Sequence, residues 1–229
     1  MNDHLNKEIS FIWENLNWHP SEEQLDQFIS LQKLLCKWNE TVNLTRLLIG
    51  DDYWIGQVFD SLWPFRKRLE NSNQLISCID IGSGCGFPGL AIAIAFPNAK
   101  IILVEALNKK TTILKTILKD LNLQSRVIVL TERVELTGQN PLYRSQFDMA
   151  MARAVAEGPT TAEYLIPLIK KSGEALLYRG KWNVLDEKRL NETLKYLNSS
   201  IKLIEYQKLP KNRGERHLIR LNLYSECPK

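Results

Sequence analysis

The sequence predicts an α/β protein built on a mostly parallel sheet, with an antiparallel strand pair at its C-terminal end and a helical segment ahead of it. Three observations carry this. From about residue 75, short apolar runs ("QLISCIDIG", "KIILVEA", "SRVIVLTE", "FDMAMARAV", "GEALLYRG") alternate with helical patterns, the arrangement that buries a parallel sheet on both faces. The stretch "DIGSGCGFPG", Asp80 to Gly89, places four glycines in ten residues between two apolar runs, a strand entering a tight turn and then a helix. Finally, "IKLIEYQKLP" and "RHLIRLNLY" flank the basic loop within "KLPKNRGERH" and read as a hairpin.

Taken in order, the first third is helical. Ser21 with Gln24 three residues on fits a capping box. Leu25, Phe28, Ile29, Leu31, Leu34, Leu35 and Trp38 follow as an apolar stripe at helical spacing. "KWNETVNLTRLL" breaks that helix, and "DDYWIGQVFDSLWPF" is a second helical candidate with Pro64 near its end. Residues 1–70 are thus expected to form a helical extension and residues 71–229 the α/β core. In the core, Ile113, Leu114, Ile117, Leu118 and Leu121 share one helix face. "GPTTAEYLIPLIKKSG" starts a helix at Pro159 and is expected to end it at Gly173.

Composition narrows the function. A hydrophobic fraction of 44% and a charged fraction of 24% describe an ordinary globular chain. "LAIAIAF" is too short to span a membrane, and the N-terminus lacks the pattern of a secretory signal. Cys36, Cys78, Cys85 and Cys227 show no CxxC pairing and no histidine at ligand spacing, so reduced thiols, a cytoplasmic location and no metal are expected. The net charge of +4 permits a nucleic-acid partner without demanding one. Arg66–Lys67–Arg68, Lys109–Lys110, and Lys208, Lys211, Arg213 and Arg216 form three basic clusters suited to phosphate.

A glycine turn after the first strand of such a sheet is the usual seat of a nucleotide-like cofactor. The dinucleotide fingerprint GxGxxG is met at Gly82 and Gly84, but Phe87 holds the third position. The pattern D-x-G-x-G-x-G, with Asp80 ahead of the turn, fits S-adenosylmethionine better. Asp80 would meet its ammonium group or brace the loop. Glu105, ending the second strand, can accept from both ribose hydroxyls. Glu135 or its neighbours, after the third strand, lie where the adenine edge would be.

These residues resemble a known family. "DIGSGCGFPGLAIAI", "LVEALNKK", "RVE" and "FDMAMARAVA", with "WNETVNLT" and "FDSL" nearer the N-terminus, resemble the bacterial 16S rRNA guanine-N7 methyltransferases, also called glucose-inhibited division protein B. The resemblance runs from about residue 25 to residue 181. It implies a Rossmann-like, S-adenosylmethionine-dependent methyltransferase acting on 16S rRNA or the small ribosomal subunit. Separately from the resemblance, a monomer is expected. By the same resemblance, Gly82 and Phe87 belong to the cofactor loop, and Glu105, Ala106 and Leu107 to the stretch at the ribose. Val134 and Glu135 match the pair beside the adenine, and Arg153 the arginine after the fourth strand. Two departures stand out: Gln57 replaces a common histidine, and Cys85 an often-found proline.

Methylation at guanine N7 removes no proton, because the nitrogen offers a free in-plane lone pair. Positioning and electrostatics should then supply most of the rate, which agrees with histidines (His4, His19, His217) that fall outside the motifs. Arg153 and Lys181, after the fourth and fifth strands, are the candidates for holding guanine through O6 or a phosphate. Asn39, Asn43 and Thr45 are candidates for substrate contact, or for turn and capping chemistry. A small-molecule methyltransferase would share the cofactor half. An NAD-linked oxidoreductase is disfavoured by Phe87, and a non-catalytic cofactor binder is weakly disfavoured by Glu105.

Overall fold

The structure, a computed structural model, describes residues 2–228; nothing is said of the side chains of residues 2–6, so the side chain of His4 lies outside the described residues. Helices α1 (Asn2–Leu16) and α2 (Glu22–Asn39) lead the chain. The expected capping box is present: Gln24 N donates to Ser21 Oγ (3.2 Å) and Ser21 N to Gln24 Oε1 (2.9 Å). Gln24 also donates from Nε2 to the carbonyls of Ile94 (2.9 Å) and Ala95 (3.2 Å). One residue therefore caps its own helix and satisfies carbonyls at the end of another.

A continuous helical stretch follows: α3 (Gly50–Tyr53), a π-helical turn at Trp54–Phe59, α4 (Asp60–Leu62), a 3-10 turn at Trp63–Phe65 containing Pro64, and α5 (Arg66–Leu69). Then come β1 (Ser77–Ile81), α6 (Gly89–Ala95), β2 (Lys100–Glu105), α7 (Asn108–Asp120), β3 (Val127–Thr131), α8 (Val134–Gln139), β4 (Phe147–Arg153), α9 (Gly158–Leu165), β5 (Ile169–Arg179), α10 (Val184–Tyr196), β6 (Ser199–Lys208) and β7 (Glu215–Leu223).

The seven strands form one sheet in the order β3-β2-β1-β4-β5-β7-β6. The pairs from β3 through β5 are parallel, and β7 runs antiparallel to both β5 and β6, as the final apolar runs predict. All seven residues of α6, "GLAIAIA", are buried, which is why this helix reads as apolar all round. The apolar stripe of α2 and the α7 face named above bury on one side of the sheet; α9 and α10 cover the other through Ala162, Leu165, Leu190 and Leu194. Each fully buried Leu or Phe of these faces contributes roughly 1.5–3 kcal/mol.

One element differs from expectation. Gly173 is not a helix cap but an interior residue of β5. The helix ends earlier, at a 3-10 turn (Ile166–Leu168) containing Pro167, because proline cannot continue it. A Cβ at Gly173 would lie 2.7 Å from the Phe147 carbonyl oxygen, at the register shift between Phe147 and Met149. Its glycine serves close strand approach.

The chain leaves β1 toward β2 and β3 on one side, then returns to β4 and β5 on the other. The carboxyl ends of β1, β2, β4 and β5 thus converge at a topological switch point, where ligands of such sheets bind.

Candidate active site

A cavity of about 660 Å³ opens at this switch point. Its floor is the glycine loop after β1. Gly82 has φ +62°, and a Cβ there would stand 2.7 Å from Val155 Cγ2, so the position needs glycine for both conformation and space. Glu105, at the end of β2, accepts from Gly84 N through Oε2 (3.1 Å) and from Leu107 N through Oε1 (2.8 Å). Each oxygen keeps a lone pair for a ligand. Behind the loop, fully buried Asp80 accepts from Gly89 N (2.8 Å). Its second oxygen has no partner. Burial pushes the Asp80 carboxyl up to about 7, against the Gly89 hydrogen bond and the Arg153 charge, which lower it.

The opposite wall is charged and assembled from distant segments. Arg153, ending β4, donates to the Gly56 carbonyl (3.1 Å) and to Gln57 Oε1, and pairs with Asp60 (3.4 Å). Its guanidinium also lies 5.8 Å from the Phe87 ring centroid. Arg216, from β7, meets the same Asp60 through Nε at 3.1 Å. The Asp60 side chain is only 5% exposed, and two cations meet it there, which offsets the cost of burying its charge. Gly56 and Gln57 belong to the π-helical turn, a distortion frequent at functional sites, and it is this turn that supplies acceptors to Arg153. Gln57, buried, further donates from Nε2 to Thr45 Oγ1 (3.1 Å) and Cys85 Sγ (3.6 Å). Burial raises the Cys85 thiol above its ordinary range, which keeps it protonated. Tyr178 is likewise held well above its usual range by burial and donates to the Ser61 carbonyl (2.9 Å). At the rim, Ala154 adopts φ +57°, an uncommon conformation for a residue with a Cβ.

The structure brings together Gly82, Gly84, Phe87, Glu105, Arg153, Lys181 and Thr45, all of which line the cavity, along with Lys110. Other candidates stand elsewhere. Asp80 sits beneath the loop and braces it. Ala106 and Leu107 follow Glu105 outside the lining, with the Leu107 N–H turned to Glu105. Val134 and Glu135, on α8, line a separate depression, where Glu135 accepts from the Tyr164 hydroxyl (3.0 Å). Asn39 accepts from Leu44 N (2.8 Å) and Thr45 N (3.0 Å), so it shapes the loop that presents Thr45; Asn43 is exposed outside the lining.

Most of the C-terminal basic cluster is paired rather than free. Lys211 meets Asp51 (2.8 Å), Arg213 meets Asp52, and Arg216 meets Asp60. Arg66 donates to Gln207 (2.6 Å). Asp60, Arg216, Tyr178 and Arg179 were missed as site residues. Asp60 sits in the quoted "FDSL" and Arg216 in the basic loop, but no local spacing links positions 156 residues apart.

Comparison with known proteins gives the family and the fold. The family model described as rRNA small subunit methyltransferase G matches residues 24–219. The chain is similar to "Ribosomal RNA small subunit methyltransferase G" of Prochlorococcus marinus strain MIT 9313, at 55% identity over 95% of this chain and 88% of that one. It is also similar to the protein of that name from Synechococcus sp. strain CC9902, at 50% identity over 94% and 89%. Among solved structures, an O-methyltransferase from Bacillus cereus in complex with SAH superposes with a TM-score of 0.59 at 16% identity, over 85% of this chain and 90% of that one. TrmK of M. capricolum in complex with SAH gives 0.51 at 14% identity, over 69% of each chain. These two likenesses concern the fold.

Proposed function

The chain belongs to the rRNA small subunit methyltransferase G family, and from that premise we propose that it methylates N7 of a guanine in 16S rRNA of the small ribosomal subunit, using S-adenosylmethionine. The observation that carries the reading is the pairing of a bare glycine floor, closed onto Glu105, with an arginine-bearing wall in one cavity.

The cofactor fits what is present. The backbone at Gly82 carries no side chain where a Cβ would collide, Gly84 holds the left-handed conformation that favours glycine (φ +57°), and Glu105 retains lone pairs suited to ribose hydroxyls. Gly82, Gly84, Phe87 and Glu105 would hold it, with the backbone of Ala106 and Leu107 beside the ribose and Val134 and Glu135 toward the adenine edge. When bound, S-adenosylmethionine supplies a methyl group on a positively charged sulfur.

The residues of the chain position the guanine and exclude water. N7 carries no proton, and the cavity lining contains no histidine; none is needed to remove one. Arg153, oriented by Gly56, Gln57 and Asp60, offers a fixed donor for O6 or a phosphate rather than for N7 itself. Asp60 offsets the positive charge of this wall, which matters because the methylated guanine is cationic. Lys181, with no partner among the described residues, reaches the rim as a phosphate contact. We take the extension and the core as one integrated, monomeric, metal-free unit working in the cytoplasm. No helix among the described residues is long and apolar enough to cross a membrane.

The test is methyl transfer from labelled S-adenosylmethionine to small-subunit particles lacking their own modification, with digestion to identify the base. Label in 7-methylguanosine supports the reading. Cofactor binding with no label in rRNA would move a small-molecule substrate to first place.

A further inference from the structure

A second cavity, of about 130 Å³, opens beside the first. It lies where the loop between β5 and α10 meets the start of α9, and Arg179 lines both cavities, so they share a wall. Its lining brings Arg179 and Arg189 together with Glu157, Asp186 and Trp182. Among the described residues no ion pair joins either arginine to either carboxylate. The Glu157 side chain takes no part in capping α9, although the residue holds the N-cap position. Asp186 uses one oxygen to accept from Asn183 N (3.1 Å). The Trp182 ring packs on Gly158, where a Cβ would come within 3.2 Å of it. Its indole N–H, out of reach of solvent, has no acceptor.

Opposite charges that face one space without meeting leave both donors and acceptors on its wall: Glu157 and Arg189 are exposed, Asp186 and Arg179 half-buried, and Arg179 donates to the Ala156 carbonyl (2.5 Å). The buried group left unpaired is the Trp182 indole N–H, where a buried donor ordinarily has a partner. A phosphate would be met by two carboxylates, and a simple cation by two arginines. A neutral planar group with donors and acceptors along one edge suits both. Nucleobases have this character: arginine donates to ring acceptors while a carboxylate accepts from exocyclic or ring N–H groups. The volume suits one base rather than a whole nucleotide. Resting on the rRNA reading above, we infer that this cavity receives an unstacked base of the RNA neighbouring the target guanine, setting which strand segment the enzyme accepts.

The sign of one substitution separates base recognition from general phosphate attraction. Initial rates on small-subunit particles at saturating cofactor give KM, and calorimetry gives cofactor affinity. Glu157→Ala and Arg189→Ala should each raise KM for particles about 5–20-fold, with kcat and cofactor affinity unchanged. Glu157→Gln, which keeps an acceptor, should raise it less. Cofactor affinity reports folding in every variant. If Glu157→Ala lowers KM, removal of a repelling anion explains it and the base pocket is overturned; an unchanged KM overturns it equally. The unmodified chain is read first: no methyl transfer to particles would overturn the rRNA reading and this inference with it.

Discussion

The two walls of the main cavity are built in opposite ways. The glycine floor comes from one short loop and the strand beside it: Gly82, Gly84, Glu105 and the bracing Asp80 lie within about one β-α-β unit. The charged wall draws Gln57 and Asp60 from the helical extension, Arg153 from the parallel sheet and Arg216 from the antiparallel hairpin. A site half made of contiguous backbone is visible as a motif. A site half made of side chains meeting across 90 to 160 positions exists only once the domain has closed, and its formation is coupled to stability.

That contrast sets the expected effects. Gly82→Asp should break the floor alone: methyl transfer falls at least about 100-fold with cofactor binding lost, while thermal unfolding shows a folded protein. Asp60→Asn should act on both properties. It strips two arginines of their shared counter-charge, and because these arginines are partly exposed, unfolding free energy should fall by about 2–3 kcal/mol, below the range for fully buried pairs. Urea titration measures this, and an unchanged midpoint would mean that the wall does not depend on the carboxylate.

The loop anchor gives a pH signature. Asp80 is raised in the folded state to about 7, so the folded protein holds a proton that the unfolded chain releases near pH 4. Its favourable contribution is complete below about pH 4 and is lost as pH rises toward 7. Urea unfolding of the unmodified protein against Asp80→Asn should show the variant gaining relative stability from pH 4 to 7 and then levelling off. A difference flat with pH would overturn the assignment. The smallest effect belongs far from both walls. Ser21→Ala removes one half of the capping box and should lower stability by about 1 kcal/mol, leaving cofactor affinity untouched.

The sequence alone determined the alternating strands and helices, the closing hairpin, the capping box and the glycine floor with Glu105. Each depends on spacing within a few residues or on repeated apolar patterns, and local geometry turns that spacing directly into shape. It misread Gly173 as a helix end, because a glycine needed for strand contact and one needed for a cap look alike in a string. Its basic clusters were visible, but their acidic partners Asp51, Asp52 and Asp60 were not. Only the tertiary structure decided which cations remain free, turned Gln57 into a bridge between Arg153, Thr45 and Cys85, and placed Arg216 in the cavity. The physical reason is reach: electrostatic pairing acts over a few ångströms of space, and nothing in linear order records which distant charges the closed sheet brings within that range.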